Sequence, residues 1–147
     1  MGKTAIYPGS FNPWHEGHTD ILNKALQVFD HVVVAIGTNP SKHSTQAGNP
    51  SVAFFGELYG DRVTLLGFNG LLVDFIKELN EDGRWPIDAV VRGLRNGQDL
   101  EFEKTQQYWN EDLGATVPTV YFVCDRKLSH ISSSAIRQLQ SLRPKNP

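Results

Sequence analysis

Two histidines three residues apart stand near the amino terminus, soon after a proline and a glycine. His15 and His18 enclose Glu16 and Gly17, and side chains three apart on a helix lie on the same face. The exposed N–H groups and the partial positive charge of a helix start favour anions. His15 and His18 could therefore place two imidazoles beside a phosphate group.

Other groups that bind phosphate are spread along the chain. Arg92 and Arg95 can form pairs of hydrogen bonds to phosphate oxygens, and Lys42 adds a flexible positive charge. The serines at 132–134 can supply hydroxyl and amide donors at the start of a helix. One such residue alone is usually a solvated surface charge or a helix cap, so their meaning depends on whether the fold brings them together.

Strand-like and helix-like segments alternate along the chain. Short β-branched runs predict strands, and apolar residues at helical spacing predict helices. We predict strands at 4–7, 31–37, 62–67, 87–91 and 119–124. We predict helices at 18–29, 51–59, 72–79 and 99–112 and from about Ser132, the last with Ile136 and Leu139 on its inner face. A polar turn is expected at 80–86, and Gly56 weakens the helix at 51–59.

This alternation predicts an α/β fold: an open, parallel, five-stranded sheet with helices on both faces. We expect one domain over residues 1–147. Ligands of such sheets bind at the carboxyl ends of the strands, and the histidines, Lys42, both arginines and the serines all follow predicted strands. The sequence therefore predicts one phosphate-binding edge, where Gly9 would let the backbone turn sharply and approach the ligand.

Composition excludes several classes of function. The formal net charge is −2, which argues against general affinity for nucleic acid. We see no signal peptide, membrane span, zinc-binding cluster, Walker loop or serine triad context, and we expect a cytoplasmic protein with no metal held by the chain itself. Cys124 is the single cysteine and lies in an apolar run, which favours a buried thiol.

Two motifs resemble a known superfamily. Residues 15–18 read His-Glu-Gly-His and residues 131–137 read Ile-Ser-Ser-Ser-Ala-Ile-Arg, which is similar to the paired HxGH and ISSSxxR motifs of nucleotidyltransferases with a Rossmann-like sheet. The segments 5–13, 29–32, 40–42, 70–75 and 92–95, with acidic residues following, resemble the phosphopantetheine adenylyltransferase family. The likeness runs from about residue 4 to residue 137.

The resemblance implies a transferase that moves AMP from ATP to 4'-phosphopantetheine, giving dephospho-coenzyme A and pyrophosphate, with Mg²⁺ accompanying ATP. It implies catalytic roles for His18, Lys42 and Arg92. It implies that ATP is bound by Ser10, Phe11, His15, His18, Gly93, Leu94, Arg95, Glu103, Ser132, Ser133, Ser134 and Arg137. It places the acceptor at Ser10, Lys42, Leu72, Arg92 and Asn110, and it implies a homo-oligomer, since the family is hexameric.

Some features depart from that pattern and keep alternatives open. The family usually has Thr where His15 stands, residues 81–85 look inserted, and the chain stops at Pro147 where the family continues, so we expect a shortened, divergent member. The alternatives are another HxGH nucleotidyltransferase, such as an NMN adenylyltransferase, and a non-catalytic nucleotide-binding remnant. Leu71 and Leu72 are adjacent and about 100° apart on a helix, so they cannot both face the core. We expect one of them to line the site or its mouth, where it would suit an apolar arm; a leucine at the edge of the core is the alternative.

Overall fold

The computed structural model describes residues 2–38, 51–95, 97–114, 117–125 and 133–142, and for 98 and 133–135 it describes the backbone alone. Lys42 and Ser132 lie outside the described residues, as do the side chains of Ser133 and Ser134. The strands are β1 Thr4–Gly9, β2 His31–Thr38, β3 Val63–Asn69, β4 Ala89–Leu94 and β5 Thr119–Val123. The helices are α1 Glu16–Val28, α2 Val52–Tyr59, α3 Leu72–Asp82, α4 Gly97–Asp112 and α5 Ser133–Leu142.

The five strands form one parallel sheet in the order β3-β2-β1-β4-β5. The chain builds outward from β1 to β3 on one side and then returns to place β4 on the other side of β1. The predicted parallel five-stranded sheet is therefore confirmed. Its direction of growth reverses between β1 and β4, which is the position where open sheets of this kind bind ligands.

Helices cover both faces of the sheet, as predicted. On one face, Leu22 of α1 and Phe55 of α2 are fully buried against Val32 and Val34. The other face carries α3, whose Ile76 and Leu79 pack against the sheet. Their partners in the sheet are Ile6, Val33, Ala35 and Val90. The continuous β-branched run of β2 is buried on both sides, which explains its lack of polar alternation.

Several predicted boundaries are wrong. Strand β1 continues through Pro8 and Gly9, which pair with Ala35 and Ile36 of β2. Helix α3 runs through Asp82 and ends at Gly83 in the left-handed conformation (φ 74°), so the polar turn begins later than Asn80. Polar residues extend this helix because their side of it faces solvent.

Strand β4 begins at Ala89 and includes the Arg92-Gly93-Leu94 segment, which was expected to follow the strand. Leu139 of α5 was expected to face inward, but it is 66% exposed, whereas Ile136 is partly buried. None of the described helices is both long and apolar enough to cross a membrane.

Candidate active site

Two cavities open at the carboxyl ends of β1 and β4. Strand β1 pairs with β2 along six residues but with β4 only through Ala5 and Ile6, so the cavities lie where the ladder between β1 and β4 has ended. One has a volume of about 300 Å³ and the other about 310 Å³, and Pro8, Gly9 and Arg92 line both. The two spaces therefore adjoin, with Arg92 between them.

We call the first space the histidine cavity. Most of its wall comes from the end of β1, the start of α1 and the end of β4. Its lining residues are Tyr7, Pro8, Gly9, Ser10, Phe11, His15, Gly17, His18, Ile21, Arg92, Gly93, Leu94, Arg95 and Cys124.

We call the second space the leucine cavity. It lies between the start of α3 and one face of α4. Its lining residues are Pro8, Gly9, Phe68, Gly70, Leu71, Leu72, Val90, Arg92, Glu103, Gln106, Gln107, Asn110, Thr119 and Tyr121.

The two histidines cap the first turn of α1 reciprocally. The Nδ1 atom of His15 accepts a hydrogen bond from the backbone N–H of Gly17 at 3.0 Å, and Nδ1 of His18 accepts one from the backbone N–H of His15 at 3.1 Å. This is the arrangement of a capping box built from two imidazoles. Because each Nδ1 is an acceptor, each neutral ring carries its proton on Nε2.

Gly17 leaves the space that the His15 ring occupies. A Cβ atom at position 17 would lie 2.8 Å from Cε1 of His15, which is closer than such atoms approach. The spacing of the motif therefore has a local cause: the first histidine caps the helix, the glycine admits its ring, and the second histidine closes the cap.

His18 is a neutral group at ordinary pH. Burial, with added repulsion from His15, Arg92 and Arg95, lowers the pKa of His18 to about 3. Burial and the charge of Arg95 also lower the pKa of His15. His18 can therefore stabilise a developing negative charge as a hydrogen-bond donor from Nε2 rather than as a cation.

Arg92 is fixed by three hydrogen bonds at the junction of the cavities. Its Nε and Nη2 atoms donate to the carboxylate of Glu103 at 2.9 and 2.8 Å, and Nη1 donates to the carbonyl oxygen of Pro8 at 3.0 Å. The Glu103 carboxylate and its hydrogen bonds to the guanidinium raise the pKa of Arg92 despite burial. A guanidinium carries five N–H groups, so the end opposite Glu103 retains donors for an anion.

Glu103, which was assigned to ATP, lies in the same cavity as Leu72 and Asn110, which were assigned to the acceptor. It is 9% exposed and lines the leucine cavity, where its carboxylate is occupied by Arg92. Glu103 does not line the histidine cavity, which holds seven of the residues assigned to ATP: Ser10, Phe11, His15, His18, Gly93, Leu94 and Arg95. A carboxylate so placed orients Arg92 and would repel a phosphate.

The segment Gly93-Leu94-Arg95 lines the histidine cavity, as the assignment to ATP requires. Gly93 is needed for packing, because a Cβ there would lie 2.7 Å from Cγ1 of Ile21 in α1. Arg95 is bonded to Asp99 through its backbone N–H at 2.8 Å and its Nε at 3.2 Å, and its side chain is 42% exposed. An incoming anion would share Arg95 with that carboxylate.

Ser10 and Phe11 also line the histidine cavity. Phe11 is 3% exposed and has a φ of 47°, so the left-handed turn lies at Phe11 and not at Gly9. A Cβ at Gly9 would lie 2.9 Å from Cζ of Phe11. Gly9 therefore makes room for the Phe11 ring, which corrects the expectation that it serves a sharp turn.

One face of α4 supplies the polar wall of the leucine cavity. Asn110 lies there as predicted, together with Gln106 and Gln107, and Tyr121 donates to Oε1 of Gln107 at 2.9 Å. Leu72 lines the same cavity and so does Leu71, which precedes α3 as its N-cap residue. Because Leu71 is outside the helix, both leucines reach the cavity without the 100° separation expected of helical neighbours.

Arg137 approaches the site from α5. Its Nη1 atom donates to the carbonyl oxygen of Asn12, in the loop that follows β1. The arginine of the carboxyl-terminal motif thus contacts the loop that leads to the histidine motif.

Sequence reasoning missed several lining residues. Tyr7, Ile21 and Cys124 come from elements assigned to the core, and no sequence signal separates them from core residues. Gln106 and Gln107 had a signal: they complete a helical repeat with Glu103 and Asn110, with spacings of three, four and seven residues.

No carboxylate lines the histidine cavity among the described residues, and these residues contain no cluster of three potential metal ligands. Mg²⁺ in such a site is held largely by substrate phosphates and water. A wall of imidazoles and cationic donors is compatible with an ion held in that way, and the Mg²⁺ implied by the resemblance stays a prediction.

Comparisons with known proteins agree with this site. The cytidylyltransferase-like family matches residues 6–139. The phosphopantetheine adenylyltransferase of Christiangramia forsetii is 38% identical over 93% of this chain and 87% of that protein. The one from Clostridium novyi is 37% identical over 93% of this chain and 83% of that protein.

Solved structures show the same fold at greater distance. A bifunctional NMN adenylyltransferase/ADP ribose pyrophosphatase from Francisella tularensis, complexed with AMP and manganese, superposes with a TM-score of 0.60 at 16% identity. The superposition covers 95% of this chain and 41% of that one. The family match and the relatives, which align over most of both chains, show that the chain belongs to the cytidylyltransferase-like family. Within it, the chain belongs to the phosphopantetheine adenylyltransferases, which are nucleotidyltransferases.

Proposed function

We propose that this protein transfers the adenylyl group of ATP to 4'-phosphopantetheine, forming dephospho-coenzyme A and pyrophosphate. The observation that carries this proposal is the junction of two cavities at Arg92. One cavity has the donors that a nucleotide phosphate chain needs, and the other combines leucines with side-chain amides. The two substrates can therefore meet at one guanidinium.

The histidine cavity is the proposed ATP site. His18 would donate from Nε2 to an oxygen of the α-phosphate, while Arg95 and backbone groups at Gly93 and Leu94 hold the rest of the nucleotide. A phosphate oxygen of the acceptor attacks the α-phosphorus, and the bond from that phosphorus to the oxygen bridging toward the β-phosphate breaks. Such a displacement needs positioning and charge stabilisation but no protein nucleophile.

The leucine cavity is the proposed acceptor site. Arg92 would bind the acceptor phosphate with the donors that Glu103 leaves available, together with Lys42, whose role stays a prediction because it lies outside the described residues. Leu71 and Leu72 suit the dimethyl group of pantetheine, and the amides of Gln106 and Asn110 suit its amide groups.

Self-association is also proposed, on the ground of exposed apolar residues on α4. Phe102 and Trp109 are 62% and 63% exposed, and Leu113 follows on the same side of the helix. Light scattering behind size exclusion would measure the mass, and a monomer at micromolar concentration would contradict the proposal. The single-domain organisation and the cytoplasmic location remain predictions.

A pyrophosphate-release screen tests the proposed reaction. ATP and CTP are each paired with phosphopantetheine, NMN and glycerol phosphate, and the products are identified by mass spectrometry. We expect release with ATP and phosphopantetheine, and tighter binding of phosphopantetheine than of NMN by calorimetry. Faster release with NMN would assign the protein to the other branch of the superfamily, and no release with any pair would indicate a non-catalytic remnant.

A further inference from the structure

The His15 ring lies flat against the His18 ring. Their centroids are 3.7 Å apart and their planes differ by 24°. Three more rings contact His18: Phe11 meets it edge to face at 4.8 Å, Trp14 lies tilted at 5.2 Å, and Tyr7 is edge-on at 6.5 Å. His18 is therefore a neutral imidazole that contacts four rings and still lines the histidine cavity.

His15 is itself held rigidly. Its Nδ1 atom is bonded to the N–H of Gly17, and its ring fills the space that a side chain at Gly17 would need. Because these contacts hold the His15 ring in place, it can restrict the movement of the ring stacked on it. Rotation of the His18 ring about its Cβ–Cγ bond would have to displace the His15 ring.

The orientation of His18 decides which nitrogen carries the proton. The bond from the N–H of His15 keeps Nδ1 of His18 unprotonated, so Nε2 is the donor. A ring that rotated away from this N–H would lose the bond and could carry its proton on Nδ1 instead. The stacked ring of His15 opposes that rotation.

We propose that His15 is a positioning residue that acts through His18: its stacked ring fixes the plane of the His18 imidazole and so maintains Nε2 as the donor. A threonine at position 15 could cap the helix through its hydroxyl, but it could not supply the stacked ring. The inference rests on the proposed function in one respect, that the donor at Nε2 serves adenylyl transfer.

Two variants separate the cap from the stack. His15→Asn keeps a good N-cap acceptor and removes the ring, whereas His15→Phe keeps a ring and removes the acceptor. Glu16→Gln, at the exposed neighbour, is the matched control and should leave turnover unchanged. Each variant is measured for kcat, for the KM of ATP, for the midpoint of thermal unfolding, and for the His18 ring by ¹⁵N NMR, which reports the tautomer without any need for turnover.

If His15 positions His18, the more stable of the two variants should be the less active one. His15→Asn should unfold near the wild-type temperature but lose about tenfold to 10²-fold in kcat, the scale of a misplaced catalytic group, with an unchanged KM for ATP. Its His18 spectrum should show a mixture of tautomers. His15→Phe should unfold at a lower temperature, retain more kcat, and keep the single Nε2–H tautomer.

Other outcomes would overturn the proposal. If kcat follows the unfolding temperature in both variants, His15 acts only as a cap. If both variants raise the KM for ATP alike, His15 is a nucleotide ligand. A single unchanged tautomer in His15→Asn would show that the stack does not hold His18. The NMR result does not depend on turnover. If the wild type fails to transfer adenylyl groups, that failure contradicts the proposed function and not the positioning role of His15.

Discussion

His18 enters the site as a neutral hydrogen-bond donor because burial and three neighbouring groups oppose its protonation. Its Nδ1 atom also serves the helix cap. One side chain thus has a structural bond on one nitrogen and leaves the other for chemistry, and substitutions can separate the two roles.

Replacing His18 should slow turnover strongly, and the loss of stability should depend on the side chain that replaces it. We expect His18→Ala and His18→Asn both to lose roughly 10²–10³ in kcat, the usual effect of removing one preorganised donor. His18→Ala also loses the cap bond and should lower the free energy of unfolding by about 1 kcal/mol. Asn places its side-chain oxygen near the position of Nδ1 and should retain most of that stability.

Steady-state kinetics and urea unfolding measure both effects. Near-normal turnover in His18→Asn would show that Nε2 is not the catalytic donor.

Arg92 should act chiefly on the acceptor. Arg92→Lys keeps a positive charge beside the buried Glu103 but removes the paired N–H donors, so the KM for phosphopantetheine should rise more than the KM for ATP. The same pattern is expected for replacement of Lys42. Initial rates with each substrate varied in turn measure the two constants, and equal increases in both would mean that the acceptor site is assigned wrongly.

At the scale of elements, the middle of α1 and the end of β5 are joined by a small polar network. Lys24 of α1 donates to Asp20 at 2.9 Å, to the carbonyl oxygen of Val123 at 2.7 Å and to Asp125 at 3.1 Å. Asp20 in turn accepts from the backbone N–H of Asp125. The helix that carries the histidines is thereby fixed to the strand that leads toward the serine motif.

Stability should depend on pH through the start of α1. The folded state lowers the pKa of His18 from 6.5 to about 3, so between these values the unfolded chain binds more protons than the folded chain. This contribution is fully present above pH 6.5, and it is lost as the pH falls, by up to about 1.4 kcal/mol per pH unit.

Urea unfolding between pH 7 and pH 4 tests this expectation, with His18→Asn as the control. The variant should show a shallower loss of unfolding free energy than the wild type. Parallel pH profiles for the two proteins would show that His18 is not the group responsible.

At the scale of the whole molecule, the site exists because β1 and β4 stop pairing early. The ladder between them ends at Ile6, and Arg92 bridges the remaining gap to the carbonyl oxygen of Pro8. Proline has no N–H to extend the ladder. Two cavities form on either side of that bridge, at the reversal point of the sheet.

Adjoining but distinct cavities predict a ternary complex. Both substrates should bind before any product leaves, so double-reciprocal plots with ATP at several acceptor concentrations should intersect. Parallel lines, or a covalent adenylyl-protein detected by mass spectrometry, would contradict direct transfer and would indicate a nucleophile on the protein.

The sequence by itself determined the layers of this protein and indicated many of the residues that line its two cavities. Alternating periodicity predicts the parallel sheet with helices on both faces because periodicity records which side of each element is buried. The histidine motif predicts a helix start because the positions of cap, glycine and closing residue are local. Strand ends were less accurate, since β1 and β4 extend to Gly9 and Leu94 through partners distant in the chain.

Only the tertiary structure decided how the site residues are paired. Glu103 meets Arg92 across a strand and a helix, which places it in the leucine cavity and not in the histidine cavity. The neutrality of His18 likewise depends on charges that the fold brings near, because desolvation and distant cations leave no local pattern in the chain. Sequence spacing fixes what a helix or strand can present, whereas the carboxylate that meets an arginine is fixed by packing between elements.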